Sequence, residues 1–107
     1  MNADLPPGCK KISACLDYAA YAFDLPSDRA IFDLAAARRA LMALGRIERE
    51  DLGVVYIRSD WGHMILPPSG FPELKVVFHH DTDRETRRRI LNLAAKAIVE
   101  ARCGHRE

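Results

Sequence analysis

The chain has 107 residues, of which 49% are hydrophobic and 29% are charged, a balance that predicts one globular domain spanning residues 1–107. The 16 Lys and Arg residues nearly balance the 15 Asp and Glu residues, and a formal net charge of +1 argues against a dedicated nucleic-acid binder. We expect a cytoplasmic protein, because no apolar stretch could span a bilayer, no secretory signal opens the chain, and the cysteine count of 3 is odd.

Two stretches in the first half of the chain have apolar residues at helical spacing. The first predicts a helix over residues 9–23, with a buried stripe of Ile12, Cys15, Leu16, Ala19 and Phe23. The second predicts a helix over residues 28–44, with Ser27 as its N-cap and Gly45 as its C-terminal stop. Its buried face would consist of Ile31, Leu34, Ala37, Leu41 and Leu44.

The pattern then changes to one that favours β-strands. Residues 53–58 are rich in β-branched and aromatic side chains, residues 59–62 read as a tight turn, and residues 63–66 form a short return strand. A third strand over residues 74–79 follows the proline-rich loop at 67–72. Strands joined by such short connections are most simply antiparallel neighbours.

The last element is a helix of about 20 residues, roughly 30 Å long, that ends at Gly104. Thr82 and Glu85 have the spacing of a capping box. One face carries Ile90, Leu93, Ala94, Ala97, Ile98 and Ala101. The sequence therefore predicts an α+β fold with two N-terminal helices, a three-stranded antiparallel meander and one long C-terminal helix.

Both faces of the predicted sheet are apolar. If the first turn places Arg58 opposite His63, one face would carry Val54, Tyr56, Ile65, Val76 and Phe78. The other face would carry Val55, Ile57, Met64, Leu66 and Val77. Either the three helices divide between the faces or a partner covers one of them, so we expect a homodimer or a complex with another protein.

Three groups of residues contain side chains that are typical of catalytic or metal sites. His79, His80 and Asp81 are adjacent, but neighbouring strand residues point to opposite faces, and an acid at a helix start is explained by the helix dipole. Cys9 follows a glycine at a predicted helix start, where the dipole could lower the pKa of its thiol. Cys103 and His105 lack the close ligand spacing of structural zinc sites. We therefore predict no catalytic residue, metal or cofactor.

Basic residues cluster in two places. Arg84, Arg87, Arg88 and Arg89 crowd the start of the last helix, where Asp81, Asp83 and Glu85 partly neutralise them. Arg38 and Arg39 lie on the second predicted helix, ahead of a predicted hairpin. This order of elements is also that of a winged-helix protein, in which the second helix would contact nucleic acid. The unbroken helical pattern over 28–44 argues against the turn that such a motif needs.

A longer stretch, from Gly53 to Ile98, resembles the last domain of phosphohexomutases. In that family two strands lead into a phosphate-binding loop of the pattern Arg-Pro-Ser-Gly-Thr-Glu-Pro, and a third strand and a long helix follow. Pro68, Ser69, Gly70 and Pro72 match the loop, whereas Pro67 stands in place of its Arg and Phe71 in place of its Thr-Glu pair. The resemblance implies a loop that holds the phosphate of a sugar phosphate, without the catalytic domains of a mutase.

The leading interpretation is a small non-enzymatic interaction protein, a regulator, adaptor or inhibitor that acts by binding another protein. Its expected contacts are Tyr56, Trp61, Phe71, Arg84 and Arg88. One alternative is a phosphate- or sugar-phosphate-binding module that uses the 67–72 loop. Its ligand-binding residues would be Ser69, Gly70, Lys75 and His63. The other alternative is the winged-helix nucleic-acid-binding regulator.

Overall fold

The computed structural model describes residues 5–6, 8–14, 18–25, 32–68 and 73–101. Within these ranges six β-strands and two α-helices occur, and a short 3-10 helix, Met42–Leu44, follows the first α-helix. In chain order they are β1 (Cys9–Ala14), β2 (Tyr18–Asp24), α1 (Leu34–Leu41), β3 (Arg46–Asp51), β4 (Val54–Ser59), β5 (Gly62–Leu66), β6 (Glu73–His79) and α2 (Arg84–Glu100).

The strands form one six-stranded antiparallel sheet in the order β1-β2-β6-β5-β4-β3. The predicted fold of two N-terminal helices, a three-stranded meander and a C-terminal helix was therefore wrong. The described residues are mostly strand, and the first hairpin joins the rest of the sheet through β2, which pairs with the last strand, β6.

The predicted helix over residues 9–23 is instead the hairpin of β1 and β2, with residues 15–17 outside the described ranges. The prediction was wrong because the uncharged residues of β2, which include three alanines, fit the apolar spacing of a helix as well as that of a strand. Ala19, Tyr21 and Phe23 point into the core, and Ala20 and Ala22 on the opposite face are also buried. A central strand buried on both faces shows no alternation between apolar and polar residues.

The predicted helix over residues 28–44 is shorter than expected. Residues 26–31 lie outside the described ranges, Phe32 and Asp33 are not helical, and α1 begins at Leu34. Asp33 is its N-cap, because an Asp33 carboxylate oxygen accepts a hydrogen bond from the backbone N–H of Ala36 at 3.1 Å. The α-helix ends at Leu41, earlier than predicted, and the 3-10 helix Met42–Leu44 continues the helical stretch to Gly45.

The β4–β5 hairpin has the predicted register, with Arg58 opposite His63. The register of β6 was predicted one residue out, because Met64 lies opposite Val76 and His63 opposite Val77. A shift of one residue exchanges the two faces of a strand. Val76 and Phe78 therefore join Met64 in the core, and Val77 faces the other way.

The hydrophobic core lies between the helices and one face of the sheet. From the strands it contains Ala19, Tyr21, Phe23, Val55, Ile57, Met64, Leu66, Leu74, Val76 and Phe78, together with Trp61 from the β4–β5 turn. From the helices it contains Ala37, Leu41, Ile90, Leu91, Ala94, Ala97 and Ile98. The helices therefore do not divide between the two faces of the sheet.

The C-terminal helix is confirmed over Arg84–Glu100, which is shorter than predicted, and its predicted end at Gly104 lies outside the described residues. Leu93, predicted on the buried face, is 39% exposed, and Leu91, which the prediction left out, is buried. Asp83 caps the helix by accepting a hydrogen bond from the backbone N–H of Thr86 at 3.2 Å, so the N-cap is not Thr82. Neither α2 nor α1, the helices of the described ranges, is long and apolar enough to cross a membrane.

Candidate interaction surface

The face of the sheet opposite the core carries neither described helix. We call it the open face. Because strand residues alternate between faces, each strand contributes every second side chain to it. On the four strands β2, β6, β5 and β4 these side chains are Tyr18, Ala20, Ala22, Asp24, Glu73, Lys75, Val77, His79, His63, Ile65, Val54, Tyr56 and Arg58.

The centre of the open face is apolar. Val54 and Tyr56 on β4, Ile65 on β5 and Val77 on β6 are each partly exposed to solvent. Tyr56 lies opposite Ile65, and Val77 is two residues along β6 from the residue opposite Ile65, so the four side chains span three neighbouring strands. Such a continuous apolar patch is typical of a surface that contacts another molecule.

Charged side chains of both signs surround this centre. On the β1 side, Lys10 Nζ lies 3.2 Å from a carboxylate oxygen of Glu73 and 3.7 Å from one of Asp24. The hydrogen bond to Glu73 and the charge of Asp24 raise the pKa of Lys10. On the β3 side, Arg58 Nε lies 3.1 Å from a carboxylate oxygen of Glu48. The apolar centre therefore has a charged rim on both sides.

A shallow pocket of about 360 Å³ lies at the β3 end of the open face, lined by Glu48, Arg49, Tyr56, Arg58 and His63. The guanidinium carbon of Arg49 stacks 4.4 Å from the centroid of the Tyr56 ring, a cation–π contact that orients both side chains. The two guanidinium groups, the phenol and the imidazole can all donate hydrogen bonds to a bound chain.

His63 is half-buried in this pocket, and its pKa is lowered by burial, by the positive charge of Arg58 and by His79. His63 and His79 share the open face, since His63 lies opposite Val77 and His79 is two residues farther along β6. His80 lies in the turn after β6. Glu48 opposes the shift without reversing it, so neutral pH favours the uncharged imidazole of His63.

Trp61 was predicted as a contact residue at a turn tip, but the structure places it in the core, with 7% of its surface exposed. Its indole Nε1 donates a hydrogen bond to the carbonyl oxygen of Leu44 at 3.2 Å, and its ring centroid lies 5.5 Å from that of Phe78. Its carbonyl oxygen accepts hydrogen bonds from the Thr82 hydroxyl at 2.9 Å and from the His79 backbone N–H at 3.1 Å. Trp61 therefore links the hairpin to both helical regions.

Arg87 holds the same end of the molecule together. Its guanidinium group donates hydrogen bonds to the carbonyl oxygens of Thr82, His80 and His79 at 2.9, 3.2 and 3.3 Å. It thereby joins the first turn of α2 to the turn that follows β6. The sequence grouped Arg87 with its neighbours in a basic cluster and gave no sign of this structural role.

The other predicted contact and ligand residues do not meet at one site. Tyr56, Lys75 and His63 are on the open face, whereas Arg84 and Arg88 lie on α2, where Arg88 is exposed. Phe71, Ser69 and Gly70 lie outside the described ranges. Of the predicted residues, the open face therefore brings together Tyr56, His63 and Lys75.

Sequence reasoning missed Glu48 and Arg49, because it assigned no element to residues 46–51. Strand β3 consists of Arg-Ile-Glu-Arg-Glu-Asp, and a single β-branched residue among five charges gives little strand signal. Gly53 was the one weak sequence signal, since Leu52 and Gly53 form a two-residue hairpin turn in which both residues have positive φ.

Cys9 lies in β1 rather than at a helix start, and its half-buried position raises its thiol pKa to about 11. The predicted activation by a helix dipole therefore does not occur. Among the residues that the structure describes, no group of three or more His, Cys, Asp or Glu side chains could hold a metal ion.

Comparison of the chain with protein-family models, with curated proteins and with solved structures finds no match.

Proposed function

We propose that this chain is a non-enzymatic interaction protein that binds another protein through the open face of its sheet. The observation that carries the proposal is the partly exposed apolar centre formed by Val54, Tyr56, Ile65 and Val77 on a face that no described helix covers.

The arrangement of side chains supports binding to a protein surface. An apolar centre within a polar rim is the usual anatomy of protein–protein interfaces, and Tyr and Arg are the residues most often important there. Tyr56 belongs to the centre, and Arg49 and Arg58 to the rim. Both rim arginines are paired with carboxylates, Arg58 with Glu48 at 3.1 Å and Arg49 with Asp51 at 3.8 Å. A partner with charges of both signs around an apolar patch would complement this face.

The proposal is tested by placing one charge in the apolar centre. Ile65→Lys changes a partly exposed residue in the centre of the open face, while Val99→Lys introduces the same residue on α2, where Val99 is 52% exposed. Immobilised wild-type and variant proteins are used to capture partners, and the captured protein is then purified and titrated by calorimetry. We expect Ile65→Lys to weaken binding by about 2 kcal/mol or more, as for a central interface residue, and Val99→Lys to leave it unchanged.

Circular dichroism of both variants controls for folding. A captured protein whose affinity is the same for wild type, Ile65→Lys and Val99→Lys would contradict the proposal, because its contacts would then lie elsewhere. A captured protein that binds Ile65→Lys normally and loses affinity for Val99→Lys would assign the interface to α2 instead.

A further inference from the structure

The outer side of β3 is an edge of the sheet with no described strand beside it. All six of its residues, Arg46–Asp51, are exposed. An edge strand presents unpaired backbone N–H and C=O groups, which form a template for pairing with another strand. The outer side of β3 can therefore accept a further strand unless its side chains prevent this.

The two edges of the sheet differ in their charges. Each edge strand contains a register shift, so the charges and not the bulges distinguish them. The opposite edge, β1, carries the adjacent cations Lys10 and Lys11, and cations on an edge strand are a common protection against edge pairing. β3 instead mixes two cations with three anions in the order Arg-Ile-Glu-Arg-Glu-Asp. Only β3 could place opposite charges against a second copy of itself.

The directions of the β3 side chains follow from their partners on β4. Arg46, Arg49 and Asp51 lie opposite Arg58, Tyr56 and Val54, so they point to the open face. Glu48 does so too, because it pairs with Arg58. Ile47 lies opposite Ile57, and Glu50 lies opposite Val55 and 3.6 Å from Arg38 of α1, so these two point to the helix side.

From Arg46 to Asp51 the side chains therefore point to the open face, the helix side, the open face, the open face, the helix side and the open face. This order is the same from either end of the strand. It arises from the register shift between Ile47 and Arg49, which inserts Glu48 as an extra residue. In a two-fold antiparallel pairing centred between Glu48 and Arg49, every residue then faces the same side as the residue opposite it. Without the extra residue, Arg46 and Asp51 would point to opposite faces.

The charges match in the same register. Arg46 lies opposite the Asp51 of a second copy, and Glu48 lies opposite its Arg49, so the two-fold axis produces each opposite-charge pair twice. Side chains directly opposite across an antiparallel pair are about 5 Å apart at Cβ, close enough for ion pairs. We infer that the chain forms a two-fold dimer in which the β3 strands pair antiparallel and join the two sheets into one.

An unusual exposed residue agrees with this arrangement. Leu52 in the turn after β3 is 97% exposed and has φ +52°, a backbone conformation in which Gly or Asn is the usual residue. The same register brings Leu52 opposite Gly45 of the second copy, at the end of a 3-10 helix whose Met42 is 39% exposed. In the dimer this exposed leucine therefore lies beside Gly45 of the second copy.

The inference does not rest on the proposed function, because the edge of β3 and the centre of the open face are different surfaces. In the dimer the two open faces lie on the same side of the joined sheet. A dimer with no protein partner would leave the present inference standing, and a monomer that binds a partner through Ile65 would leave the proposed function standing.

Sedimentation velocity over a concentration series tests the dimer. We expect a concentration-dependent dimer that weakens at about 1 M salt, where charges are screened beyond about 3 Å. Arg46→Asp replaces two opposite-charge pairs by two like-charge pairs, and we expect the dissociation constant to rise about tenfold or more. The double variant Arg46→Asp with Asp51→Arg restores the opposite charges and should restore the dimer. Lys11→Glu on β1 is the matched control and should have no effect.

A monomer at every concentration up to the solubility limit would overturn the inference. So would a dimer that Arg46→Asp leaves intact, or one that the double variant fails to restore. A dimer that Lys11→Glu disrupts as strongly as Arg46→Asp would overturn it too, by showing that net charge rather than the β3 edge controls association. All these residues are exposed, and circular dichroism checks that each variant folds.

Discussion

Replacing Trp61 by alanine should strongly destabilise the fold. Trp61 is in the core, its ring packs against Phe78, and its indole N–H satisfies the carbonyl oxygen of Leu44. Two variants separate these contributions. Trp61→Ala removes both the ring and the hydrogen bond, whereas Trp61→Phe keeps most of the ring contact and removes only the hydrogen bond and part of the volume.

The magnitudes follow from burial. Removal of a buried aromatic side chain costs about 3–5 kcal/mol, which includes the cavity left behind. Loss of the one hydrogen bond at 3.2 Å should cost about 1 kcal/mol, so Trp61→Phe should lose about 1–2 kcal/mol in total. A domain of this size is stable by only about 5–15 kcal/mol, so Trp61→Ala should remove a large part of its stability.

Urea denaturation followed by far-ultraviolet circular dichroism measures these changes, since the variants lack the single tryptophan that fluorescence would use. Val99→Ala, at a residue 52% exposed on α2, is the matched control and should change stability by less than about 0.5 kcal/mol. If Trp61→Ala cost less than about 1 kcal/mol, the placement of Trp61 in the core would be refuted.

Three further changes have expected outcomes. Arg87→Ala loses three hydrogen bonds to carbonyl oxygens and should lower the free energy of unfolding by about 1–3 kcal/mol, whereas Arg88→Ala should change it little. Gly62→Ala puts a Cβ against a backbone carbonyl oxygen of β6 at φ +146° and should cost about 3 kcal/mol or more, whereas Gly8→Ala, with φ +83° and open space, should cost about 1 kcal/mol; urea titration distinguishes them. The pKa of His63 is lowered in the folded state from its ordinary value of 6.5, so the unfolded chain binds the proton more readily and stability should fall as the pH decreases below 6.5. His63→Gln should reduce this loss, and an equal pH dependence in both proteins would contradict it.

Helices and strands whose apolar residues recur with a clear helical or strand spacing were predictable from the sequence. The long helix α2 has a regular apolar stripe and acidic residues at its start, and both were visible in the sequence. The β4–β5 hairpin was also found with its register, because a two-residue turn fixes the pairing of its strands.

The remaining errors have physical causes. In β2, alanines and aromatic residues follow one another on a strand buried on both sides, and their spacing also fits a helical stripe. In β6, Val76, Val77 and Phe78 are consecutive apolar residues, so either register would bury an apolar face. β3 has so few apolar residues that its edge position, rather than its sequence, makes it a strand.

Those errors explain how much of the candidate surface could be predicted. Tyr56, His63 and Lys75 were named, but their shared face depends on the strand order and on the β6 register. Trp61 was predicted as an interface residue because aromatic residues at turns often contact partners. In the structure its ring is buried and its indole N–H donates a hydrogen bond to the carbonyl oxygen of Leu44. Glu48 and Arg49 could not be placed on this surface without β3, and the sequence pattern of residues 46–51 did not predict that strand.

The most direct test of the proposed function is photo-cross-linking from the open face in cells. A photoreactive phenylalanine replaces Tyr56 in one variant and Val99, which is 52% exposed on α2, in a second variant. We predict that position 56 cross-links to one distinct protein and that position 99 does not. Equal cross-linking from the two positions, or cross-linking from position 99 alone, would contradict the claim that the open face is the binding surface.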